Sequence, residues 1–255
     1  MLHLMLITWL IIFGLMTVVW LLYLCLDNTS IVDVFWSIAI ATASMSYYTL
    51  SDAQSSAWGM VALLIIWALR LSLFLFFTRI VRRHQDKRYA ELAAGWQMKK
   101  QLGFFLNFQF QGLLAMIIAT PFLSIADITP SAAMSHFSLG IMAMIGASIV
   151  CETLADLQLL RFKKKHKGHV CDIGLWRYSR HPNYFFDWLT WLGFAVLASQ
   201  VDFGWMSYLS PMLLLFLMRC ITIPMTEKQS LASRGQDYAN YQARTSIFLP
   251  KWRKK

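Results

Sequence analysis

Seven apolar stretches punctuate this chain, at residues 3–26, 31–50, 58–81, 104–125, 135–160, 184–199 and 204–223. A helix crosses the hydrocarbon core of a bilayer with about 20 mostly apolar residues. Inside that core a chain must satisfy its own backbone polar groups, so only helices and closed barrels serve. No run alternates with period two over barrel-length segments, which leaves helices. Residues are 58% hydrophobic and 14% charged, against about 45–50% apolar and about 25% charged in a soluble globule. The expectation is an all-α integral membrane protein, a seven-transmembrane-helix bundle. The sixth stretch is short, so its helix is expected to begin inside the loop before it. The first stretch has no basic segment ahead of it and no small-residue cleavage site behind, and reads as a retained span rather than a signal peptide.

Charge orients the bundle. Of 23 Lys and Arg residues, seven lie in 79–100, seven in 161–180 and seven after the last span. With seven spans these segments share one face. The connections 51–57, 126–134 and 200–203 on the other face contain no Lys or Arg. By the positive-inside rule the N-terminus lies outside and the C-terminus in the cytoplasm. The loop 27–30 carries no base, so parity alone places the first two spans. A net charge of +10 fits positive-inside topology with attraction to anionic lipid, or the holding of an anionic cofactor.

No linker or internal repeat divides the chain. It reads as one membrane domain, with 1–125 forming substrate-cavity helices and 135–250 the cofactor-binding helices, loop and tail. The connection RRHQDKRYAELAAGWQMKK reads as an interfacial helix, with Tyr89 and Trp96 among bases. The tail after Thr226 starts helical, with Gly235 placed to interrupt it and Pro250 to end it. No CxxC and no disulfide framework occurs. His166, His169 and Cys171 match no common zinc spacing, and no metal is expected. No GxGxxG or Walker pattern appears, which excludes a hidden nucleotide-binding α/β domain.

Six charges fall within the apolar stretches or at their ends: Asp33, Arg70, Glu152, Asp156, Asp187 and Arg219. Such charges are costly and point to function, or to internal pairing such as Asp33 with Arg70. Glu152 and Asp156 are four apart and share one helical face. Their carboxylates suit ribose hydroxyls, while Lys163 further along suits phosphate.

The densest polar stretch is GLWRYSRHPNYF, 174–185. Residues before proline favour an extended backbone, and proline suits a helix's first turn. A helix is therefore expected to open at Pro182 or Asn183. Its free N–H groups favour an anion, and Arg177 and Arg180 just upstream suit phosphate oxygens. Asn183 and Asp187, four apart, offer a donor and acceptors that match a nicotinamide carboxamide.

GLWRYSRHPNYF, preceded by ETLADLQLLRF and followed by TEK…QDYANYQARTSIFLP, resembles the bacterial branch of the steroid 5α-reductase-like family. The likeness is strong over 145–250 and weaker in WALRLSLFLFFTRIVRRHQDKRY. It implies a multi-span NADPH-dependent reductase of a carbon–carbon double bond conjugated to a carbonyl, in a steroid, polyprenal or enoyl thioester. It implies a bacterial inner membrane, with the cofactor site facing the cytoplasm. By position, Asp156 would contact the adenosine side and Lys163 a phosphate. Tyr178, Asn183 and Tyr184 match the nucleotide-binding loop and helix start. Tyr238 and Tyr241 match tail tyrosines that close over the cofactor. Arg79, Glu152, Arg177, Arg180, His181, Asp187 and Glu227 complete the expected cofactor set. Asp187 stands in FFDW where the family usually has FGEW.

The front half departs further. Vertebrate members polarise the ketone with a glutamate on the second span and a tyrosine on the third. Here the second span has Asp33, and Trp67 stands where the tyrosine is sought. Either Asp33, Tyr47 or Tyr48 takes over as the acid, or the substrate is different. The implied reaction is hydride transfer to the β-carbon of an enone, with a donor at the carbonyl oxygen and protonation of the α-carbon. Asn107, Gln109 and Gln111 would line the substrate cavity or make helix–helix contacts.

RHPNY and the acidic–tyrosine tail also fit membrane methyltransferases of the isoprenylcysteine carboxyl methyltransferase type, which bind S-adenosylmethionine. A non-catalytic lipid-binding scaffold is a third reading. The expected partners are a lipophilic small molecule and membrane lipid, with no nucleic acid.

Overall fold

The computed structural model describes residues 2–51, 57–82 and 87–252. Part of the expected outer loop 51–57, part of the first basic connection including Arg83, and the terminal Arg253, Lys254 and Lys255 lie outside the described residues. The described elements are helical: α1 (Leu2–Leu26), α2 (Ile31–Thr49), α3 (Trp58–Leu75), α4 (Lys87–Ala94), α5 (Lys100–Ile118), α6 (Pro121–Ile125), α7 (Pro130–Ala133), α8 (His136–Lys165), α9 (Pro182–Ala198), α10 (Leu209–Leu217) and α11 (Ile223–Arg244). Wider π-helical turns extend α3 over Phe76–Val81 and join α10 to α11 over Met218–Thr222.

Among the described residues six helical runs are long and apolar enough to cross a membrane: Leu2–Leu26, Ile31–Thr49, Trp58–Val81, Lys100–Ile125, His136–Lys165 and Gly204–Arg244. Seven were expected. The difference is α9, whose helix opens at Pro182 as anticipated but runs only 17 residues. At 1.5 Å per residue it reaches about 26 Å, short of the ~30 Å hydrocarbon core. In the last run the apolar part ends near Thr222. α11 carries Glu227, Lys228, Arg234, Asp237 and Arg244 and lies outside the span.

The chain forms two compact units, Met1–Met142 with Phe194–Ser210, and Ala143–Gly193 with Pro211–Lys255. In the first, α2 packs on α1, α3 and α5. α1 buries Thr8, Ile12, Met16, Val19 and Tyr23, a stripe at steps of three and four residues, while Leu6, Leu10 and Leu21 stay exposed. An apolar helix with one narrow buried stripe turns its remaining faces to lipid. Gly112 of α5 lets that helix close on α1, since a Cβ there would sit 2.9 Å from Ile12 Cγ2. The Ser37 and Ser72 hydroxyls join α2 to α3 at 2.7 Å.

In the second unit the loop before α9 is fastened to α8. Gln158 Oε1 accepts from the Leu175 N–H at 3.0 Å, and Trp176 Nε1–H donates to the Ala155 carbonyl at 2.9 Å. Gly174 makes this possible: its φ is +55°, and a Cβ would meet the Gln158 side chain at 2.5 Å. α11 leaves helical geometry at Gly235 (φ +52°), at the residue expected to interrupt it.

Candidate functional site

The stretch 178–181 is held by the chain's own C-terminal strap. Ser179 and Ser246 pair as a parallel bridge. The Arg180 N–H donates to the Ser246 carbonyl at 2.8 Å, Ser179 Oγ to the Phe248 carbonyl at 2.7 Å, and the Lys251 N–H to the Tyr178 carbonyl at 3.0 Å. Tyr178 stacks edge-on against Trp252 at 5.2 Å, and Phe248 packs on Phe185 and Trp188.

Arg180 clamps this seam. Its Nε donates to Glu227 Oε1 at 2.6 Å and Nη2 to Oε2 at 3.1 Å. Nη1 reaches the carbonyls of Gln242 and Thr245 at 2.8 and 2.9 Å. All three guanidinium nitrogens are thus engaged inside the protein. The fork expected to suit phosphate is filled in this structure by the Glu227 carboxylate and two backbone carbonyls.

Burial alone would raise the Glu227 carboxyl. Hydrogen bonds from His181, Arg180 and Gln242, with the Arg180 charge, outweigh it and hold the group at about 2. A carboxylate so held only accepts, so His181 Nε2, 3.2 Å from Oε1, carries the proton and donates. Burial depresses His181 below its ordinary value, against the pull of Glu227; the ring is neutral and lies flat on Tyr184 at 5.4 Å. Tyr238 and Tyr241 are buried in the same seam, 5.8 Å apart. Burial, helped by Glu227, pushes the Tyr238 phenol up to about 12. Tyr241 donates to the Trp176 carbonyl at 2.5 Å. Gln242, which donates to Glu227 at 2.8 Å, was not picked out from the sequence; its one signal is its place in the tail motif.

A second cluster joins α8 to α9. Asn183 Nδ2 donates to Asp156 Oδ1 at 3.0 Å. The acceptor-only carboxylate fixes the amide orientation, so the other amide atom is Oδ1. That oxygen is buried and, among the described residues, has no hydrogen-bond partner. Glu152 lies one turn before Asp156 and Asp187 one turn after Asn183. These three carboxylates are 3%, 6% and 7% exposed. The resemblance put Asp156 at the adenosine end of a dinucleotide and Asn183 at the carboxamide end. The structure bonds the two side chains directly to each other. Lys163 and Arg177 are exposed at the polar end of this unit.

In the first unit, Asp33 in the opening turn of α2 pairs with Arg79, with Arg88 Nη2 at 3.9 Å. It also accepts from the Tyr89 hydroxyl at 2.7 Å. Its partner is therefore Arg79 rather than Arg70, and Arg79 serves Asp33. Tyr89, 8% exposed, was seen in the sequence only as an interfacial aromatic. Tyr47 and Tyr48 are buried; they follow Asp33 by 14 and 15 residues on the same helix, about 21 Å along its axis. Asp33 and the two tyrosines are therefore alternatives, as the sequence offered them, rather than a pair. Among the described residues no three His, Cys, Asp or Glu side chains converge as metal ligands.

The fold defines an all-α membrane protein whose second unit gathers buried polar side chains at a helix start. Residues 19–245 match the family described as a protein of unknown function, DUF1295, and the chain belongs to that family. No curated protein and no solved structure matches it.

Proposed function

We propose that the protein is an NADPH-dependent reductase of a carbon–carbon double bond conjugated to a carbonyl in a lipophilic substrate. In this reading α9 is a short seventh crossing, the N-terminus is outside and the basic segments face the cytoplasm. The observation that carries it is the Asn183 carbonyl, buried without a partner beside its bonded Asp156. A buried acceptor left unmade costs about 1–3 kcal/mol, and such a cost suits an atom kept for a ligand donor. The nicotinamide carboxamide supplies one in its N–H₂. The donor set fits the rest of the group too: carboxylates for ribose hydroxyls, and exposed Lys163, Lys164, Lys165 and Lys167 for phosphates.

When bound, NADPH supplies the hydride. Asn183 and Asp156 fix the ring's orientation. Arg180 and Glu227 hold the loop and helix start that carry them. In the first unit Tyr89 donates its single O–H to Asp33 and, with Arg79, holds that carboxylate.

One observation favours the methyltransferase reading. With Arg180 spent internally, the cluster around Asn183 is dominated by carboxylates, which also suit the ammonium and sulfonium of S-adenosylmethionine. Titration of detergent-solubilised protein with NADPH, NADH and S-adenosylmethionine, followed by quenching of its eleven tryptophans, separates the two. Saturable quenching by NADPH is expected. Saturation by S-adenosylmethionine alone contradicts the reductase.

A further inference from the structure

A groove of about 380 Å³ opens in the second unit between the end of α8, the loop after it and the last turns of α11. Ligand pockets start at about 300 Å³. One wall is aromatic, with Phe162 and His166 rings 4.8 Å apart. The opposite wall is polar, with Asp237, Asn240 and Arg244, and Asp172 at its edge. Arg244 is exposed and spends Nε on the Asn240 carbonyl at 3.2 Å. That leaves its terminal amino groups for a ligand.

Position on α8 gives the groove its meaning. Phe162 follows Asp156 by six residues on α8, and His166, ten residues on, stands just past the helix end with its N–H still bonded to the Phe162 carbonyl at 2.8 Å. At 1.5 Å per residue this is about 9 and 15 Å, a span an extended dinucleotide bridges. On the dinucleotide reading above, Asn183 and Asp156, bonded to each other, hold one end of such a ligand, so the other end needs its own seat. The groove offers what an adenosine phosphate uses: an aromatic face for the base, carboxylate and amide acceptors for the amino group and ribose hydroxyls, and a guanidinium for phosphate.

We infer that this groove seats the adenosine 2′-phosphate end of the cofactor, with Arg244 reading the phosphate and the Phe162–His166 wall taking the base. The inference rests on the dinucleotide reading above. It makes Arg244 the residue that separates NADPH from NADH.

The test titrates wild type, Arg244→Ala, His166→Ala and Asn183→Ala with adenosine 2′,5′-bisphosphate, nicotinamide mononucleotide, NADPH and NADH. Inorganic phosphate is the control. Arg244→Ala is expected to weaken adenosine 2′,5′-bisphosphate and NADPH about tenfold or more, as loss of a charge-assisted bond does, and to leave NADH unchanged. His166→Ala weakens the bisphosphate without changing the NADPH-to-NADH ratio. Asn183→Ala weakens only the mononucleotide and the whole dinucleotides. NADPH binding that is indifferent to Arg244→Ala and His166→Ala overturns the groove and leaves the reductase standing. Bisphosphate binding lost in Arg244→Ala, with no NADPH binding, keeps the groove and overturns the reductase. No bisphosphate binding to wild type, or equal competition by inorganic phosphate, also overturns the groove.

Discussion

Arg180 and Glu227 meet fork to fork, Nε to Oε1 at 2.6 Å and Nη2 to Oε2 at 3.1 Å, across 47 residues of sequence. Both side chains are nearly buried, at 10% and 12% exposure. Removing one member of such a pair strands the other, at about 3–5 kcal/mol. Arg180→Ala is therefore expected to lower the melting temperature in detergent by roughly 6–20 °C, at about 2–4 °C per kcal/mol for a chain of this size. Glu227→Gln in the same chain should recover part of that loss. Strict additivity of the two changes would show that the pair does not hold the seam.

Acid should open the same seam. Glu227 titrates at about 2 in the folded protein against an ordinary 4.5, so the unfolded chain binds the extra proton between those values. The stabilisation is complete above pH 4.5 and is lost as pH falls toward 2, about 3 kcal/mol at most. His181 is also depressed, from 6.5, so its contribution fades as pH drops below 6.5. Both act in one direction. Melting temperature should fall from pH 6.5 downward, and Glu227→Gln should flatten the limb below pH 4.5. A wild-type profile that rises in acid contradicts this assignment.

Gly174 is a purely structural test of the loop. Alanine there meets a φ of +55° and the Gln158 side chain at 2.5 Å. Left-handed strain and overpacking together cost about 2–5 kcal/mol. Gly174→Ala combined with Gln158→Ala removes the clash but keeps the strain, and loses the bond to Leu175. The double variant should therefore stay below wild type. A double variant as stable as wild type would remove the need for glycine's backbone freedom.

Tyr89→Phe tests the Asp33 cluster. It deletes the hydroxyl that donates to Asp33 at 2.7 Å and costs about 1 kcal/mol in stability, while the Arg79 pair remains. Melting temperature in detergent should fall by about 2–4 °C. Asp33→Asn should cost less in the Tyr89→Phe chain than in the wild type, because the bond is already gone. Strict additivity of the two changes would show that the hydroxyl and the carboxylate do not act together.

The features legible in the sequence are local ones. Apolar runs of span length marked the membrane helices, Pro182 marked the start of α9, and four-residue spacing marked Glu152 with Asp156 and Asn183 with Asp187. Pairing over distance was not legible. Nothing in GLWRYSRHPNYF says that Arg180 turns to Glu227 rather than outward, because a guanidinium beside a helix start suits phosphate and carboxylate alike. Asp33 had bases at Arg70 and Arg79 within reach of reasonable helix geometry, and the π-helical turn over Phe76–Val81 shifts the register in Arg79's favour. Tyr89 sat in a connection that read as an interfacial helix, and its bond to Asp33 spans 56 residues. The shortness of α9 was legible too: the apolar stretch 184–199 is brief, and the helix runs from Pro182 to Ala198.

The account stands on the Asn183 carbonyl being kept for a ligand, and a cryo-EM structure of the protein with NADPH tests that most directly. A carboxamide nitrogen within hydrogen-bond distance of Asn183 Oδ1, with Asp156 still bonded to Nδ2, is the predicted result. Cofactor density away from α8 and α9, or a protein side chain or lipid filling the Asn183 site with NADPH present, would contradict it.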